Sequence, residues 1–96
     1  MTTIVYTGDT ITVQVVFKDT SGSLIDPDSN LATFSAYNND NLALAATATM
    51  SRVSSGVYEY NWLIPSAEIS YILEMKGLFA TKPQLKRLKV RAKFRP

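Results

Sequence analysis

Cysteine and histidine are both absent from the 96 residues. Without a thiol there is no disulfide staple and no thiolate nucleophile. Without an imidazole there is no Ser/His/Asp triad, no histidine general base and none of the usual zinc sites. Glycine is scarce as well, with four residues at Gly8, Gly22, Gly56 and Gly77, too few and too scattered for a dinucleotide fingerprint or a phosphate-cradling loop. The abundant serines form no G-x-S-x-G elbow and no S-x-x-K, and the eight acidic residues are spread over loops and strand exteriors rather than gathered into a catalytic pair. These absences point to a binding or structural module, with no enzyme activity and no cofactor expected.

Long apolar runs are also missing. The richest stretch, residues 42–50, is broken by threonines, and nothing approaches the 18 or so apolar residues of a membrane-spanning helix. The opening Met1-Thr2-Thr3-Ile4-Val5-Tyr6 has neither the basic start nor the apolar core of a secretory signal. A soluble protein with no membrane partner is expected, while the lack of cysteine leaves the compartment open.

What is present is an ordinary globular composition, 46% apolar and 19% charged, enough for one modest core. The expectation is a single domain over residues 1–96. Residues 9–18 alternate, with Ile11, Val13, Val15 and Phe17 on one face and Thr10, Thr12, Gln14, Val16 and Lys18 on the other, the mark of a half-buried strand. A short strand over residues 4–7 precedes it. Further strands are predicted over residues 31–37, 42–50, 57–64, 70–79 and 85–94, separated by Gly, Pro, Asn, Asp and Ser clusters. Pro65-Ser66-Ala67-Glu68 reads as a brief helical turn. Tyr58, Tyr60 and Trp62 share a strand face and are expected to fill the core. About seven strands at this spacing predict an immunoglobulin-like antiparallel β-sandwich.

Net charge of +2 conceals a division. Before Lys82 there are eight acidic and three basic residues; from Lys82 onward there are seven basic residues and no acidic one. In the last strand Leu88, Val90, Ala92 and Phe94 are expected inward, so that Arg87, Lys89, Arg91, Lys93 and Arg95 line the outer face, about 6.6 Å apart. This electrostatic face is the first binding candidate. It fits an acidic protein surface, with a phosphate backbone as an alternative. No aromatic alternates with these bases along the strand, so single-stranded stacking is not expected. Loop residues Asp26, Asp28, Asn30, Asn38, Asn39 and Asp40 are second candidates, because loops on rigid sandwiches often carry recognition. The series Asp26-Pro27-Asp28-Ser29-Asn30 has the oxygen spacing of a calcium loop, but Leu31 stands where Gly is needed and Tyr37 where a bidentate Glu is needed. No metal site is expected.

Four stations also occur in order. They are Tyr6-Thr7-Gly8-Asp9-Thr10-Ile11; Val16-Phe17-Lys18-Asp19 continuing through Gly22 to Ile25-Asp26-Pro27; Ser54-Ser55-Gly56-Val57-Tyr58-Glu59-Tyr60-Asn61-Trp62 with Ile64-Pro65; and residues 71–77, from Tyr71 to Gly77. Together they resemble the "GDT", "f.D..G..iDP", "s.GvY.y.w.iP" and "Y...G" stations of small immunoglobulin-like virion proteins of tailed phages and prophages. The resemblance spans nearly the whole chain, with Ser70 standing where such sequences often have Gly and a last strand more basic than theirs. It implies a non-enzymatic structural role in the virion, after synthesis in the host cytoplasm. The expected role is capsid decoration by docking on the assembled shell, with partners among capsid or other virion proteins of acidic surface and oligomerisation on assembly. Alternatives are a head-tail connector or tail assembly component, and a cell-surface or carbohydrate-binding module using exposed Tyr6 and Tyr37.

Overall fold

The computed structural model describes residues 3–94. Among these residues eight strands form two sheets: β1 Thr3–Tyr6, β2 Thr10–Val16, β3 Ala32–Asn38, β4 Leu44–Thr49, β5 Ser51–Ser54, β6 Val57–Leu63, β7 Ser70–Phe79 and β8 Lys82–Lys93. A five-stranded sheet has the order β1-β8-β7-β3-β4, and a three-stranded sheet has the order β2-β6-β5. This partition of consecutive strands between two facing sheets is the immunoglobulin-like sandwich.

Two features depart from a purely antiparallel seven-strand arrangement. β1 runs parallel to β8, with Ile4 opposite Arg91 and Tyr6 opposite Lys93. The chain then turns at Thr7 and Gly8, whose N–H groups donate to Lys93 O and Ile64 O, and crosses to the other sheet to become β2. The run expected as one strand over residues 42–50 ends at buried Met50, and β5 starts immediately afterwards in the opposite sheet. Ser51–Ser54 is exposed at every position, so it carries no apolar alternation by which to recognise it. Between β6 and β7 the chain bends at Ser66 and Ala67 rather than forming the expected helical turn; among the described residues a 3₁₀ turn occurs instead at Asp28–Asn30.

Alternation determines the core. Val13, Val15 and Phe17 from the β2 side, Tyr58 and Trp62 from β6, and Tyr71, Leu73 and Met75 from β7 are buried between the sheets. Trp62 meets Tyr71 edge-on at 5.4 Å, and Phe34 stacks with Tyr60 at 4.9 Å. These pairs add to the area the aromatics bury. Val90 and Ala92 of β8 are buried as expected, but Leu88 is 37% and Phe94 60% exposed. Leu88 precedes the part of β8 flanked by the described residues of β1, and Phe94 follows the last β1–β8 pair.

Candidate docking surface

With Val90 and Ala92 facing inward, strand alternation turns Arg87, Lys89, Arg91 and Lys93 to the outer face of the five-stranded sheet. Arg95 lies outside the described residues. Across the β7–β8 ladder Ser70 is opposite Arg91, Ile72 opposite Lys89 and Glu74 opposite Arg87. Arg87 Nε donates to Glu74 Oε2 at 3.0 Å, an exposed pair of small energetic weight. Arg91 Nη1 donates to Ser70 Oγ at 3.5 Å. Lys89 and Lys93 have no ion-pair partner among the described residues.

The fold adds neighbours that reading along one strand did not supply. Parallel pairing sets Ile4 beside Arg91 and Tyr6 beside Lys93, so an aromatic does accompany the bases, from a segment more than eighty residues away in sequence. On the other side Tyr37 is opposite Ile72. Tyr37, Ile72, Leu42, Glu74 and Arg87 surround an open cavity of about 370 Å³. Ile72 and Tyr37 were legible by parity from the sequence. Leu42 was not, because it closes the loop between β3 and β4 rather than belonging to the strand assigned to it.

The loop candidates divide between the two ends of β3. Asp26 is the centre of a closed network. Its carboxylate accepts from Arg52 Nε and Nη2 at 3.2 and 3.1 Å, from the Gly56 N–H at 2.9 Å and from the Tyr58 hydroxyl at 3.1 Å. Arg52, the Gly56 N–H and the Tyr58 hydroxyl hold the Asp26 carboxyl at a pKa of about 2, below its usual 3.8. Burial, and then the Asp26 carboxylate, push the Tyr58 phenol up. Asp28 accepts from the N–H groups of Ala80 and Thr81 at 3.2 and 3.0 Å, tying this loop to the β7–β8 turn. Asn30 has a φ of 50° and its N–H donates to Pro27 O. The carboxylates of Asp26 and Asp28 are thus occupied by donors from different elements.

At the other end, Asn38 Oδ1 accepts from the Asp40 N–H at 2.8 Å and Asn41 Oδ1 from the Ala43 N–H at 2.9 Å. The Asn39 N–H donates to Ser70 O at 2.9 Å, and Ser70 in turn meets Arg91. Asn38, Asn39 and exposed Asp40 therefore adjoin the cationic face, whereas Asp26, Asp28 and Asn30 stand away from it.

No protein-family model matches the chain, and no curated protein does. Among solved structures it is similar to the crystal structure of the ZIG-8–RIG-5 IG1–IG1 heterodimer, at 13% identity, covering 97% of this chain and 83% of that one, with a TM-score of 0.44.

Proposed function

We propose that this chain is a non-enzymatic structural protein of a virion that decorates the assembled shell, docking through the outer face of its five-stranded sheet. The observation that carries the docking mode is the row Arg87, Lys89, Arg91 and Lys93, opposed on that face by Glu74 from the neighbouring strand. Charges spaced this way on a rigid sheet complement an acidic protein surface and guide its approach. The virion setting is supported by the ordered sequence stations described above. A head-tail or tail position is the second reading, consistent with the same face meeting fewer partner copies.

Quantitative mass spectrometry of purified particles from the protein's source tests the proposal. Decoration predicts a copy number comparable with that of the major shell subunit. A few copies per particle would assign the protein to the neck or tail, and its absence from particles would overturn the virion role.

A further inference from the structure

Leu42 presents a physical anomaly. It is a large apolar residue left 64% exposed, and its φ is 56°, a left-handed conformation that a bulky side chain adopts only against a steric cost and that Gly or Asn adopts readily. Three asparagines stand within the four positions before it. Its N–H closes the loop by donating to Asn38 O at 2.7 Å, a bond any residue other than proline would make. Neither burial nor backbone preference accounts for leucine here, and strained positions of this kind gather at ligand contacts.

The surroundings supply a reason. Leu42, Tyr37 and Ile72 form the apolar part of the open cavity, and the Glu74–Arg87 pair forms its polar side. Ile72 is directly opposite Lys89 in the β7–β8 register and Tyr37 directly opposite Ile72 in the β3–β7 register. The Lys89 backbone is therefore one strand spacing, about 4.8 Å, from that of Ile72 in the cavity lining, and Arg91 about 6.6 Å further along β8. An apolar seat beside unneutralised cations matches a ligand that has an apolar side chain between carboxylates.

We infer that the cavity beneath Leu42 is the anchor pocket of the docking face, receiving an apolar side chain from an acidic protein segment whose flanking carboxylates meet Lys89 and Arg91. This rests on the docking reading above and deepens it. Charge steers and orients the partner, and burial of one side chain supplies retention, since buried anchors rather than peripheral charges dominate binding at interfaces.

The test uses the full chain and two synthetic peptides, acetyl-Glu-Glu-Phe-Glu-Glu-amide and its counterpart with Ala in place of Phe, followed by ¹H–¹⁵N correlation spectra. Both peptides are expected to shift β8 amides, with the Phe peptide alone shifting residues around Tyr37, Leu42 and Ile72 and binding about tenfold more tightly. The variant Leu42→Asn, which suits the left-handed conformation, is expected to keep or raise Tm and to abolish the preference for Phe. Equal binding of the two peptides at β8 would overturn the anchor and leave the docking face standing. Absence of any β8 response would overturn both. A Tm lowered by Leu42→Asn would make Leu42 a structural residue and overturn the inference, as would a short oligothymidylate that outcompetes the Phe peptide for the cavity.

Discussion

Asp26 illustrates how one carboxylate can decide a local structure. Its partners come from β5, the β5–β6 turn and β6, so the network closes the loop after β2 onto the three-stranded sheet. Because its folded pKa of about 2 is below the ordinary 3.8, the stabilisation is complete above about pH 4 and is lost as pH falls toward 2. Asp26→Asn should therefore be less stable than the unmodified chain at neutral pH, with the gap narrowing between pH 4 and 2. Denaturant unfolding of both across that range checks the sign; a gap independent of pH would contradict it. Gly56 is equally constrained. Its φ is 73°, and a Cβ there would come within 2.8 Å of Phe17 O. Gly56→Ala should lose at least about 1–2 kcal/mol from the left-handed backbone alone, measured by the same unfolding.

At the scale of elements, the strands that were readable are those with one buried and one exposed face. β2, β6 and β7 matched expectation because buried residues such as Val13, Tyr58 and Leu73 alternate with exposed or half-buried neighbours. β5 was invisible because both its faces are wet. The inward assignments of Leu88 and Phe94 failed for a related reason, since alternation gives the side of the sheet but not whether anything covers it. The cationic row on β8 was legible residue by residue, because a period of two needs no knowledge of pairing. Its companions Ile4 and Tyr6 were not, since parallel pairing of the first strand with the last is a property of topology. Leu42 was hidden more deeply, by a backbone angle.

For the molecule as a whole, the sequence stations and the cationic row of β8 are different sets of residues, although Tyr6, Ile72 and Glu74 belong to stations and border that row. Asp26, Gly56 and Tyr58 join in one network, and Pro27 is buried against Gly77, where a Cβ would come within 2.9 Å of Pro27 Cβ. Gly8 and Asp9 exchange backbone bonds with Ile64. The stations thus hold the sandwich together, while the cations on which the docking proposal rests come from β8, outside the stations. That division makes the docking claim separable from stability. The most direct measurement is rebinding to particles stripped of this protein, comparing the unmodified chain with a Lys89→Gln, Arg91→Gln, Lys93→Gln variant over a range of salt. The account predicts an unchanged Tm, occupancy lowered about tenfold at low salt and a shallower salt dependence. Equal occupancy with an equal salt dependence would contradict it.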